Sequence, residues 1–173
     1  MKNTTLCYLE KDGAYLMLHR VKKKNDVNEG KWVGVGGHFE EGESPFDCAV
    51  REVFEETGFV LAGARYAGVV TFVSDRFETE QMHLFHSTDF LGEDGYPTFS
   101  EGVEQTTDCI EGNLAWVDKD AVPRLPLWEG DRIFLALLKE NVPHFSLKLA
   151  YTGDALTSAV LDGVPLDFSK YLA

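Results

Sequence analysis

Residues 37–59 read Gly37-His38-Phe39-Glu40-Glu41-Gly42-Glu43-Ser44-Pro45-Phe46-Asp47-Cys48-Ala49-Val50-Arg51-Glu52-Val53-Phe54-Glu55-Glu56-Thr57-Gly58-Phe59. This stretch contains the clearest helix in the chain. Ser44 is a good N-cap, Pro45 suits the first helical position, and Asp47 falls three residues after the cap as in a capping box. Gly58 supplies the stop. Phe46, Ala49, Val50, Val53 and Thr57 recur at helical spacing and predict the buried stripe. Between residues 40 and 56 stand Glu40, Glu41, Glu43, Asp47, Glu52, Glu55 and Glu56, against the single base Arg51. Glu52, Glu55 and Glu56 are spaced i, i+3, i+4, so they share an arc of roughly 100° on one helix face. Like charges that close repel, at a few tenths of a kcal/mol per exposed pair and more when partly buried. A helix does not need that arrangement for stability, although charged faces are often simply solvated. A divalent cation removes the repulsion, and carboxylate oxygens without Cys or His suit Mg²⁺ or Mn²⁺. Upstream, Gly36 and Gly37 let the backbone approach a ligand closely.

Outward from this helix the chain reads as strands. Leu6–Leu9 and Ala14–Leu18 flank Lys11-Asp12-Gly13, and Asp-Gly is a strong tight-turn signal. A polar loop over residues 21–31 contains Lys22, Lys23 and Lys24. A glycine-rich strand follows over 32–37. Strands are predicted over 66–73, 82–90 and 114–117, with a long Gly- and acid-rich loop over 91–111 between the last two. A second amphipathic helix is predicted over 131–140, and a terminal hairpin from 145–149 and 159–161. There is no internal repeat. Strands interrupted by two helices predict an α+β fold, a central mixed sheet with helices on its faces.

The chain has 173 residues, 44% hydrophobic and 26% charged, which fits one folded domain over 1–173 and disfavours disorder. No apolar run approaches a membrane span and the start has no secretory apolar region, so a cytoplasmic protein without a membrane partner is expected. Asp and Glu number 29 against 16 Lys and Arg, a net charge of −13. That disfavours a nucleic-acid polymer as partner, since such binding leaves a basic footprint. It leaves room for a small anionic substrate if metal ions bridge the two. Cys7, Cys48 and Cys109 lack zinc or disulfide spacing and read as reduced thiols.

The whole run over 37–59 resembles the signature of the Nudix hydrolases: Gly37, five residues, Glu43, seven residues, then Arg51-Glu52-apolar-any-Glu55-Glu56-any-Gly58-apolar. Seven fixed positions at ordinary residue frequencies match by chance about once in 10⁸ windows. The resemblance implies the Nudix fold, an α/β/α sandwich around a mixed sheet. It also implies Mg²⁺-dependent hydrolysis of a nucleoside diphosphate linked to another group, by water attack on phosphorus. By the family pattern Glu52, Glu55 and Glu56 hold the metals with the Gly36 carbonyl, and Mn²⁺ can substitute for Mg²⁺. Glu52 also orients or deprotonates the water, while Arg51 and Glu43 position the carboxylates. Glu111, just before the 114–117 strand, matches the place of an additional metal-binding or base-forming Glu.

Beyond the box the chain is similar to the MutT-type branch, especially its 8-oxo-dGTPases, through residues 31–37, 83–85 and 126–134. There Trp128 corresponds to a Trp that stacks on the base, and Asp131 to an acid that reads the purine edge. Gly130 stands where a second acid is expected, and Val33 where the branch has a base-contacting Asn. Arg20 and Lys23 are candidates for binding the triphosphate, and His38, replacing a common Lys, for touching phosphate. The implied substrate is a small nucleotide: a nucleoside triphosphate, possible oxidised purines included, cleaved to monophosphate and pyrophosphate. ADP-ribose, a nucleotide sugar or a pterin triphosphate are the alternatives within the family, and a non-catalytic nucleotide-binding module is the alternative outside enzymes.

Overall fold

A computed structural model describes residues 1–21, 26–93 and 112–173. Asp12 and Gly13 both take positive φ, 51° and 77°, as a two-residue type I′ turn demands. They join β1 (Lys2–Lys11) to β2 (Ala14–His19) as the predicted antiparallel hairpin. Beside β1, β5 (Glu80–Leu91) runs parallel, and β4 (Val60–Ser74) pairs antiparallel with β5. Outside β4, β7 (Phe145–Thr152) runs parallel and is followed antiparallel by β8 (Ala155–Leu161) and the short β9 (Val164–Pro165). The far end of β2 pairs with β3 (Trp32–Val33) on the side that β1 occupies, and β6 (Asn113–Asp118) pairs along the other side of β2. Among the described residues the order is β3-β2-β1-β5-β4-β7-β8-β9, with β6 on β2.

The sheet is therefore mixed, with α1 (Pro45–Thr57) and α2 (Asp131–Lys139) on opposite faces. The strand period of two makes this possible. On β1, Tyr8 joins the core under α2, whereas its neighbours Cys7 and Leu9 join the core under α1. The α+β class and the sandwich architecture agree with expectation. A short α3 (Ser169–Leu172) closes the chain. Among the described residues no helix is long and apolar enough to cross a membrane. Cys7 and Cys48 are free and buried; Cys109 lies outside the described residues.

Two local readings are corrected. The run over 32–37 is not one strand. It pairs with β2 only through Trp32 and Val33, then crosses to β1 through single bridges, Val35 to Cys7 and His38 to Thr4. One segment thus serves two strands. The buried stripe of α1 is Cys48, Ala49, Val53 and Thr57. Phe46 remains 40% exposed, with only its edge near Phe85, and Val50 is half-buried. The face is rotated because the small Cys48 fits beneath the glycine loop, where the Thr5 hydroxyl and the Gly37 carbonyl meet its thiol.

Candidate active site

The box carboxylates owe their place to the ends of α1. The Asp47 N–H donates to Ser44 Oγ at 3.1 Å and the Ser44 N–H to Asp47 Oδ2 at 3.0 Å, completing the capping box. At the other end Gly58 adopts φ 79° and its N–H donates to the Phe54 carbonyl. With both ends fixed, the glycine loop lies against the helix. A Cβ on Gly36 would stand 1.8 Å from the Thr5 carbonyl oxygen, and one on Gly37 would stand 2.5 Å from the Glu52 carboxyl carbon. At Gly36 the obstacle is backbone and only a bare residue fits, whereas a Cβ at Gly37 would displace the Glu52 carboxylate. The Gly37 carbonyl accepts from the Thr5 N–H at 2.9 Å and from the Cys48 thiol at 3.5 Å. The Gly36 carbonyl accepts no hydrogen bond among the described residues.

Arg51 organises the acids. Its Nε and Nη2 donate to the two oxygens of Glu43 at 2.8 and 2.9 Å, a fork-on-fork pair. Nη1 donates to Glu52 at 2.7 Å and to Glu55 at 3.2 Å, and Nη2 also reaches the His38 carbonyl at 2.9 Å. Glu43 receives the Glu40 N–H as well, and these hydrogen bonds, Arg51's foremost, hold its carboxyl down at about 2. The Arg51 guanidinium is correspondingly held in its charged form. Among the described residues no three His, Cys, Asp or Glu side chains form a ready metal cluster. The guanidinium instead draws the Glu52 and Glu55 carboxylates toward itself.

A cavity of about 470 Å³ opens beside this cluster, within the ~300–1,000 Å³ of small-molecule sites. Gly36, Gly37, His38, Arg51, Glu52, Glu55 and Glu56 line one end, and Val33, Phe72, Met82, Trp128 and Asp131 the other. The structure thus brings together most of the residues expected from sequence. Glu43 reaches the site through Arg51. Glu111 and Lys23 lie outside the described residues. Arg20 lines the cavity, with its Nη2 2.9 Å from Asp26 Oδ2. Trp128 is only 4% exposed, set edge-to-face against Phe72 and Tyr151, with the Lys31 ammonium 4.5 Å from its ring centroid. Gly130, where a second acid was expected, is closely packed by two side chains. A Cβ there would stand 2.5 Å from Leu149 Cδ1 and 2.6 Å from the Tyr151 hydroxyl, which accepts the Gly130 N–H at 2.7 Å.

Asp131 is 7% exposed, and burial raises its carboxyl to about 8 against the pull of Arg132 and Lys31. Between its unfolded value near 3.8 and about 8, the folded chain holds a proton that the unfolded chain has lost. This contribution to stability is therefore present below about pH 4 and is lost as pH rises through 8. Asp131→Asn is expected to flatten that part of the profile, gaining stability relative to wild type at pH 9 more than at pH 6. Urea denaturation at both values checks it, and parallel profiles would contradict the burial argument.

Sequence reasoning missed Asn28, Asp26, Phe72, Met82 and Glu80, all of which line the cavity. Burial raises the Glu80 carboxyl, opposed by Lys2 and Arg20. Phe72 and Glu80 are cross-strand partners on β4 and β5. Their register was the only available signal, and period alone does not supply it.

The NUDIX domain model matches residues 2–138. The Nudix hydrolase YvcI of Bacillus subtilis is 30% identical over 135 residues, covering 76% of this chain and 75% of that protein. The oxidized purine nucleoside triphosphate hydrolase of Mus musculus is 32% identical over 130 residues, 73% of this chain and 76% of that protein. The crystal structure of a mutator MutT protein from Bacillus halodurans superposes with a TM-score of 0.77 at 26% identity, covering 95% of this chain and all of that one. With the domain match spanning most of its length and the box carboxylates gathered at a cavity, the chain belongs to the Nudix hydrolase family.

Proposed function

We propose that this chain is a Mg²⁺-dependent nucleoside triphosphate pyrophosphohydrolase of the MutT type, releasing a nucleoside monophosphate and pyrophosphate. The observation that carries the reading is the single cavity that joins the box carboxylates at one end to Trp128 and Asp131 at the other. It offers anion chemistry and an aromatic, hydrogen-bonding base site in one continuous space. The mouse relative's name, an oxidized purine nucleoside triphosphate hydrolase, supports the same substrate class.

The residues present fit a hard divalent ion. The donors are all oxygen: Glu52, Glu55, Glu56 and the Gly36 carbonyl, which is not committed to another hydrogen bond among the described residues. When bound, Mg²⁺ neutralises charge on the phosphate oxygens. Glu52 orients the attacking water and takes its proton as the new O–P bond forms. The bridging O–P bond breaks, and pyrophosphate leaves with the electron pair. Arg51 fixes the Glu52 carboxylate at 2.7 Å, and Glu43 fixes Arg51. His38 and Arg20 line the cavity on the route we assign to the phosphates; Glu111 is given a supporting role by family pattern alone, and Lys23 by its positive charge alone.

The test is a substrate panel of nucleoside triphosphates, 8-oxo-dGTP, ADP-ribose, a nucleotide sugar and a pterin triphosphate, with pyrophosphate and phosphate measured separately. The expected result is pyrophosphate from a triphosphate, abolished by EDTA and restored by Mg²⁺. Turnover of ADP-ribose alone would replace the reading with another Nudix activity. No turnover on any member from about pH 6 to 10, a range that covers any plausible base, would favour a non-catalytic nucleotide-binding module. Val33 and Gly130 remove an amide and an acid from the expected purine reader, so oxidised-purine preference is the part of the proposal the panel tests most severely.

A further inference from the structure

The turn over residues 26–31 is fastened from several directions. Arg20 Nη2 meets Asp26 at 2.9 Å, with both side chains largely buried. The Arg20 N–H donates to the Lys31 carbonyl, the Gly30 N–H to the Arg20 carbonyl, and the Lys31 N–H to the Asn28 carbonyl, all within 2.9 Å. His19 stacks flat on Trp32 with centroids 4.5 Å apart, and its Nε2 lies 3.2 Å from the Gly30 carbonyl. This turn sets Asn28 at the cavity wall beside Trp128 and Asp131.

The Trp128 indole Nε1 donates to Asn28 Oδ1 at 3.1 Å. A carboxamide has one acceptor oxygen and one NH₂ donor group. Because an indole N–H can only donate, it fixes which end of the amide is engaged. Oδ1 is committed to the protein, and Nδ2 has no partner among the described residues. Asp131 is the other polar side chain at the base end, and burial keeps its carboxyl protonated as a second donor. Val33 is apolar and buried, and Gly130 bears no side chain, with Leu149 and Tyr151 packed against it.

We infer that Asn28 is a specificity-determining residue for the nucleobase beside Asp131, with Nδ2 donating to a keto oxygen on the base edge and Trp128 holding the amide in that orientation. The inference rests on the nucleotide reading above and narrows it to keto-bearing bases. An amino group at the same place on a base would set donor against donor and leave Nδ2 buried and unsatisfied, a loss of about tenfold to a hundredfold in binding.

The experiment uses matched pairs that differ at this group: dITP against dATP, and dUTP against dCTP. Steady-state kinetics are measured for wild type, Asn28→Asp and Asn28→Ala. Asp keeps an acceptor for the Trp128 indole but replaces the NH₂ donor with an acceptor. Wild type is expected to favour the keto member of each pair by about tenfold or more in kcat/KM. Asn28→Asp is expected to erase or invert that preference through KM, with kcat for the better substrate changed less than about threefold, since the reacting end is untouched. Asn28→Ala is expected to flatten the preference. A keto-to-amino ratio that is the same in wild type and Asn28→Asp overturns the inference. An equal loss on every nucleotide in both variants also overturns it, because that is the mark of a merely structural residue. If wild type cleaves no triphosphate of the panel above, the triphosphate reading fails and the inference falls with it; if it cleaves one of them but no member of either pair, the inference alone is overturned.

Discussion

Glu52→Gln lowers kcat by a factor of about 10² or more if Glu52 takes the proton from the attacking water. The substitution is close to isosteric and keeps an oxygen for Arg51 Nη1, now 2.7 Å from Glu52. It removes the negative charge that a divalent ion and a departing proton both require. The fold does not depend on that charge. Glu52 lies on α1 next to Gly37, and the helix is held by its caps and by Cys48, Ala49, Val53 and Thr57 beneath it. The measurement is kcat on the best substrate of the panel, with a thermal melt of the same preparation. A near-wild-type rate would take Glu52 out of the reaction. A lost rate with a collapsed melt would show a folding defect instead.

Gly36→Ala is expected to destabilise the chain by about 3 kcal/mol or more, at or beyond the usual range for overpacking. The added carbon would stand 1.8 Å from the Thr5 carbonyl oxygen. The obstacle is backbone, so no side-chain rotation relieves it. The segment from Val35 to Phe39 must instead part from β1, losing the Thr5 N–H bond to Gly37 and the Cys7–Val35 pair of bonds. Gly42→Ala provides the comparison. Gly42 has φ 82° but open space around it, so only left-handed backbone strain is paid, about 1–2 kcal/mol. Urea denaturation of both variants measures the difference. Equal costs would mean that the loop does not press on β1 as described.

What the sequence made legible was local or spaced within one element. Ser44, Pro45, Asp47 and Gly58 announce α1 because capping is decided within a few residues. Once the helix exists, its period places Glu52, Glu55 and Glu56. Asp12-Gly13 likewise announces its own turn. Failures came where a residue's role depends on something distant in the chain. Phe46 fits the helical period, yet the buried face is set by how the glycine loop and Thr5 receive Cys48. Residues 32–37 have the composition of one strand, but their two partners, β2 and β1, divide it. Asn28 sits in a polar loop that looks like any other, and its contact with Trp128 spans a hundred positions. Phe72, Met82 and Glu80 required the register of β4 on β5.

The crowding at Gly130 constrains how this protein can diverge. Leu149 and Tyr151 come from β7, beyond the 2–138 stretch shared with the domain model, yet they decide what position 130 tolerates. In a lineage carrying this tail, an acid gained at 130 displaces the ends of Leu149 and Tyr151. Any such change must be met by movement or substitution at 149 and 151, so a strand remote in sequence bears on the pocket.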